Sequence, residues 1–235
     1  MKRNWEALVL TALGGRTFSL TVLDTEPVGE RYQRLRLADG GLLTACGVHP
    51  TMWIRMWFDN NGKPHQRAYT VVDPDPSAGQ FTVEFALHDG CAARWATRAK
   101  VGDTIDATVQ GSSFRWPDPT PGHLYVVGDA ASLPAVNSLL DAAGDTPATI
   151  WLEYAHEAEQ ALPVRTRPKD TITWLPRRDH GKHLVDTVIG ALPADDRAFY
   201  WVACEASSTR AIARHIRKDL RIDKRRVSAL GYWRA

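Results

Sequence analysis

Residues 65–72 read HQRAYTVV. Period-two alternation puts Arg67 and Tyr69 on one face of a strand and Ala68 and Thr70 on the other, with no acidic side chain before Asp73. A cation, an aromatic ring and a hydroxyl at this spacing offer what a flavin nucleotide asks of a strand. The cation suits phosphate or ring oxygens, the ring makes a flat wall, and the hydroxyl reaches a polar rim. The same residues also suit a surface strand carrying a cation–π pair.

Two further stretches have the composition of phosphate-binding turns. In HDGCAARWA (88–96) a glycine turn leads into a helix start, which presents free N–H groups and a positive dipole end. It reads equally as a loop-to-helix junction with Gly90 as a turn residue. VVGDAASLPAVNSLL (126–140) is a strand, a glycine turn and a helix entered through small residues and Pro134. Ligands of open α/β sheets sit outside the carboxyl ends of such strands, although no G-x-G-x-x-G is present. An ordinary strand-to-helix junction would look the same.

The elements around these stretches fall into two groups. FSLTVLD (18–24), RYQRLRLA (31–38), TMWIRMWF (51–58), QFTVEFALH (80–88) and DTIDATVQG (103–111) are short strands between Gly, Pro and Asn turns. They predict an antiparallel, closed or nearly closed β-barrel, interrupted by one helix over about 92–100. PDPTPG (117–122) is the expected linker. Strands at 123–129, 148–155, 171–176, 199–204 and 227–233 then alternate with helices near 133–144, 183–192 and 207–220, which predicts a parallel sheet with right-handed crossovers. In the last helix Ile212, Ile216 and Leu220 form an apolar stripe, capped by Ser207 or Ser208. The expected fold is an N-terminal β-barrel domain over 1–118 followed by an α/β domain over 119–235.

Bulk properties exclude several classes. A net charge of +2 is too small to indicate nucleic acid. Three scattered cysteines, Cys46, Cys91 and Cys204, give no metal-ligand spacing and fit a reducing compartment. No stretch has the roughly 20 apolar residues of a membrane span. The first 17 residues, MKRNWEALVLTALGGRT, have a basic start and a short apolar run. Trp5 and Glu6 interrupt that run and ALGG is a poor cleavage site, so the expectation is a soluble cytoplasmic protein. Charge is unevenly spread: residues 205–235 hold nine Lys or Arg against three acids, so 1–204 carry a net −4. The helix cations Arg210, Arg214, Arg217 and Lys218 are expected to spread around their helix.

Taken in order, RAYTVVDPD, HDG…RWA, VVGDAASLPA, TWLPR (173–177), YWVACEA (200–206) and the terminal GYWR (231–234) resemble the siderophore-interacting proteins, a branch of the ferredoxin-reductase-like flavoproteins. Within that family the likeness is to the siderophore-interacting domain of carboxymycobactin ABC importers, without the transporter part. The resemblance implies FAD held at the barrel by Arg67, Tyr69 and Thr70 and by His88, Gly90, Ala92 and Ala93, with Ala131 and Ser132 in the segment at the edge of the parallel sheet. It implies NAD(P)H or a reduced ferredoxin as electron donor and a ferric siderophore as acceptor, reduced in the cytoplasm to release Fe(II). An importer is a further implied partner.

The sequence departs from the family at three places. Cys91 and Ala93 stand where Pro and Ser are usual, which removes a hydroxyl worth roughly 0.5–1.5 kcal/mol to a bound phosphate. Ala131 and Ser132 shift a hydroxyl by one position, and Cys204 replaces a usual Gly. No protein general acid, nucleophile or metal ligand is expected, because the flavin carries the redox chemistry. Arg234, Arg210 and Arg214 are the expected substrate contacts, as cations facing an anionic siderophore. Cations late in a helix also complement its dipole without any ligand. Two other readings stay open: a siderophore-binding or importer-associated module that has lost its flavin, and a different flavin oxidoreductase serving an iron–sulfur partner.

Overall fold

The structure is a computed structural model that describes residues 16–235, so the apolar run near the N-terminus falls almost wholly outside the described residues. The chain divides into two compact units between Phe114 and Arg115.

The first unit is a seven-stranded antiparallel sheet. Its strands are β1 (Arg16–Gly29), β2 (Tyr32–Ala38), β3 (Trp53–Asn60), β4 (Lys63–Thr70), β5 (Val72–Asp75), β6 (Gln80–Ala86) and β7 (Thr104–Val109), in the order β4-β3-β7-β1-β2-β6-β5. Two short helices join them, α1 (Leu42–Cys46) and α2 (Cys91–Arg98). Alternation decides the inner face: Ile54, Met56 and Phe58 of β3 are at most 2% exposed, while Trp53, Arg55 and Trp57 point the other way. Asn61 and Gly62 form the two-residue turn between β3 and β4, both at positive φ (55° and 77°), as a tight hairpin requires. Register shifts at Val22/Asp24 and Pro27/Gly29 bend the long β1. The sheet curls until Tyr69 of β4 meets Phe85 of β6 at 4.3 Å between ring centroids, yet β4 and β5 remain its two edges. It is a half-barrel.

The second unit is a five-stranded parallel sheet, β10-β9-β8-β11-β12, formed by β8 (Leu124–Asp129), β9 (Ala148–Tyr154), β10 (Thr171–Pro176), β11 (Phe199–Val202) and β12 (Val227–Ala229). Helices α3 (Leu133–Ala142), α4 (Lys182–Ala191) and α5 (Ala206–Arg214) supply crossovers. The chain runs outward from β8 through β9 to β10, then returns to place β11 on the other side of β8. The order therefore reverses between β8 and β11, which puts a crevice at their carboxyl ends. The expected helix over 207–220 is α5 plus a π turn, His215–Asp219, closed by Leu220 N–H donating to His215 O at 3.1 Å. Ile212 and Ile216 of its apolar stripe are fully buried.

Candidate functional site

In the first unit, strand register explains the depth of each RAYT side chain. Arg67 pairs with Met56 and Tyr69 with Ile54, so both share the inner face as alternation predicts. They lie at different depths because β4 is an edge strand. Tyr69 reaches under the curl and packs among Phe58 and Phe85, which also touch Trp95. Burial pushes its hydroxyl pKa far above the usual tyrosine range. Arg67 stays exposed, and its Nη1 donates to the Gln66 carbonyl at 2.9 Å. Among the described residues it has no carboxylate partner and makes no cation–π contact with Tyr69. Thr70 is 5% exposed.

The N-terminus of α2 lies on the same unit. Gly90 caps it in an extended conformation, with no side-chain cap and no acid in the first turn. A Cβ on Gly90 would fall 2.3 Å from His88 Cε1, so the His88 ring rests on the glycine backbone. Ala92 and Ala93 are buried at 2% and 3% exposure. An unpaired cation, an aromatic wall and an uncapped helix start fit the phosphate and ring of a flavin.

In the second unit the carboxyl edge of the sheet carries a polar network that sequence reading missed. Asp129 ends β8 at 6% exposure and accepts from Trp233 Nε1 at 2.7 Å and Ser132 N–H at 3.0 Å. Burial raises its pKa to about 6, against the bonds from Trp233 and Ser132. Glu153, the penultimate residue of β9, is 2% exposed. Arg177 binds its Oε2, while Oε1 has no partner among the described residues. Burial pushes this carboxyl up as well, with Arg177 opposing. The Arg177 guanidinium lies 4.8 Å over the Trp233 ring.

The C-terminal segment delivers Trp233. Leu230 N–H donates to Val202 O (3.0 Å), Tyr232 N–H to Cys204 O (2.9 Å) and Ala206 N–H to Trp233 O (2.9 Å), so the tail continues β12 alongside β11. A Cβ at Gly231 would stand 2.9 Å from Ala206 Cβ, a closeness that only glycine permits. Glu205, and neither serine, caps α5: its carboxylate accepts from Ser207 N–H (2.6 Å) and Ser208 N–H (3.1 Å). Burial works against that charge, but the Ser207 and Ser208 bonds and Arg177 outweigh it and hold the pKa low. Cys204 is fully buried, and burial pushes its thiol far above the usual range, which leaves it unreactive.

The remaining expected residues fall as follows. Ala131 is exposed. Ser132 is fully buried, and its hydroxyl donates to Asp129 O (3.2 Å) and accepts from Asp129 N–H (2.9 Å), so it stitches the turn. Arg234 is exposed beside Trp233. Arg210, Arg214 and Lys218 share one exposed face at i, i+4, i+8 and do not spread around the helix.

The sequence model of the siderophore-interacting protein family matches residues 121–235, and that of the siderophore-interacting FAD-binding domain matches residues 25–111. The chain belongs to the siderophore-interacting protein family. It is 31% identical over its whole length to the mycobactin import ATP-binding/permease protein IrtA of Mycobacterium tuberculosis, of which it spans 28%. It is 26% identical to the ferric acinetobactin reductase of Acinetobacter baumannii, over 79% of this chain and 67% of that one. The siderophore-interacting protein SipS from Aeromonas hydrophila superposes with a TM-score of 0.79 at 25% identity, over 94% of this chain and 92% of the other. Ferredoxin reductase in carbazole 1,9a-dioxygenase shares the fold alone, with a TM-score of 0.70 at 15% identity, over 93% of this chain and 70% of the other. The expected order of an antiparallel barrel-like unit, here open as a half-barrel, and a parallel sheet is thus the family's architecture, a ferredoxin-reductase-like fold.

Proposed function

We propose that the chain is an FAD-dependent oxidoreductase that reduces a ferric siderophore and releases the iron as Fe(II) in the cytoplasm. The observation that carries the reading is the unpaired Arg67 on the unit that bears the uncapped α2 N-terminus, within the span matched by the FAD-binding domain. FAD would supply the exchange between a two-electron donor and one-electron iron. Arg67 and the amides of α2 would hold its phosphates, with His88, Gly90, Ala92 and Ala93 shaping that turn. Tyr69 would present a ring edge from the aromatic cluster, and Thr70 a hydroxyl. Ala131 and Ser132 would form the corresponding turn of the parallel-sheet unit, Ala131 by its backbone. Hard oxygen ligands hold Fe(III) far better than Fe(II), so reduction frees the metal from the siderophore. Arg234, with Arg210 and Arg214, would supply the cationic field for an anionic siderophore. The donor would be NAD(P)H or a reduced ferredoxin, and an importer a further partner.

The test is the visible spectrum of the purified protein, with chromatographic identification of whatever cofactor heat releases. FAD is expected, because FMN would leave the second phosphate site at Gly90–Arg94 empty. A colourless protein that FAD does not reconstitute would instead support a flavin-poor siderophore-binding module, the reading that Cys91 and Ala93 in the phosphate turn favour.

A further inference from the structure

The C-terminal basic block resolves into engaged and unengaged cations. Arg226 is 9% exposed and donates to Pro119 O (3.1 Å) and Arg197 O (3.3 Å). Arg225 pairs with Asp223 at 2.8 Å, and Arg217 leans to Val227 O at 3.5 Å. Arg210, Arg214, Lys218, Arg221 and Lys224 are all exposed, and none forms a salt bridge among the described residues. The acids nearby already have partners: Asp219 is held by His215 at 2.9 Å and Asp223 by Arg225.

Helix geometry places three of these five together. Arg210, Arg214 and Lys218 precede the buried Ile212 and Ile216 and the half-buried Leu220 by two residues, about 200° around the helix. The chain then turns at Arg221, whose φ is 58°, and adds Arg221 and Lys224 at the helix end. From Arg210 to Arg221 the face is roughly 16 Å long. Complementing the helix dipole explains cations in the last turn, but not Arg210 in the middle of α5 or Lys224 beyond it.

The length and chemistry of this face select its occupant. A single small anion meets one or two of these cations. A tight protein interface needs a desolvated apolar or aromatic anchor. The large hydrophobic side chains exposed among the described residues are Val48, Val101, Ile172 and Leu230, none of them on this helix. Its apolar stripe is buried in the unit's own core, so the helix is not free to insert into a bilayer. What remains is adsorption of a smooth cationic face onto lipid headgroups, which needs charge alone.

We propose that the face carrying Arg210, Arg214, Lys218, Arg221 and Lys224 docks this chain, without insertion, on an anionic lipid surface. This goes beyond the reductase reading and does not depend on it. The experiment is co-sedimentation of the full chain with vesicles of phosphatidylcholine alone or mixed with phosphatidylglycerol, across a salt series. Binding should require phosphatidylglycerol and fall as salt rises. Each headgroup-facing cation contributes a factor of about five. The triple variant Lys218→Glu/Arg221→Glu/Lys224→Glu should therefore lose roughly a hundredfold in partitioning, while Lys169→Glu, an exposed cation elsewhere in the unit, should change it little. Vesicle binding that survives the triple reversal, binding that ignores phosphatidylglycerol, or preference for a DNA duplex over the vesicles overturns the proposal. None of the three reversed residues belongs to the proposed substrate set. Reduction of a small neutral acceptor without vesicles should therefore be unchanged in the triple variant, and failure of the parent protein to reduce a soluble ferric siderophore would sink the reductase reading alone.

Discussion

Among single side chains, Arg67 is the one on which the proposed flavin site rests most directly: it is exposed and has no carboxylate partner among the described residues. A guanidinium on a strand edge, bonded among the described residues to a neighbouring carbonyl, keeps most of its donors open to a ligand. Charge-assisted hydrogen bonds contribute roughly 1.5–3 kcal/mol. Arg67→Ala should accordingly weaken FAD binding by about 10- to 150-fold, read by fluorescence titration of the apoprotein, with the circular dichroism spectrum preserved. Unchanged flavin affinity would assign Arg67 to plain solvent. Ser132 makes the opposite point. Its hydroxyl resembles a ligand-binding group in sequence, yet both of its bonds go to the Asp129 backbone.

The parallel sheet and its tail form an element held by a titrating contact. Asp129 closes β8 on Trp233, and burial lifts its pKa from the ordinary 3.8 to about 6 in the folded protein. A raised folded pKa means that the folded state binds the proton more tightly than the unfolded chain does. The associated stability is complete below about pH 4 and is lost as the pH rises through 6. Glu153 shifts in the same direction. Asp170, Glu205 and Asp223 shift the opposite way and lose their contributions only as the pH falls through their lowered values. Between pH 7 and pH 5 the parent protein should gain roughly 1.3 kcal/mol relative to Asp129→Asn. Urea midpoints of the two proteins across that interval measure it. Parallel pH profiles would show that Asp129 titrates normally.

On the scale of the whole molecule, the excess positive charge of residues 205–235 is a field and not a set of bonds. Steering by such a field is screened over about 8–10 Å at ordinary salt. Arg234, exposed beside the carboxyl-edge network, should matter most for an anionic substrate. Arg234→Glu should slow reduction of a ferric siderophore several-fold at low salt, and the difference should shrink as salt is added. Reduction of a small neutral acceptor by the same variant should stay level. Equal loss for both acceptors would mean damage to the fold or the flavin site.

The sequence by itself determined the faces and the classes of element. Alternation put Ile54, Met56 and Phe58 inward, and alternating strands and helices after residue 122 gave the parallel sheet. The i, i+4, i+8 stripe of Ile212, Ile216 and Leu220 found the buried side of the last helix. These patterns are legible because each depends on the backbone period of one segment. Tertiary structure decided depth and company. Arg67 and Tyr69 share a face, yet only the curl of β6 over the end of β4 half-buries the ring and leaves the cation out. The break at Val71 that separates β4 from β5, the five-residue α1 and the π turn have no periodic signature long enough to read. The carboxyl-edge network joins residues from four strand ends and the tail, with Asp129 and Trp233 separated by 104 positions. Strand order alone brings them together, and a buried carboxyl has an altered pKa only once that order has removed it from water.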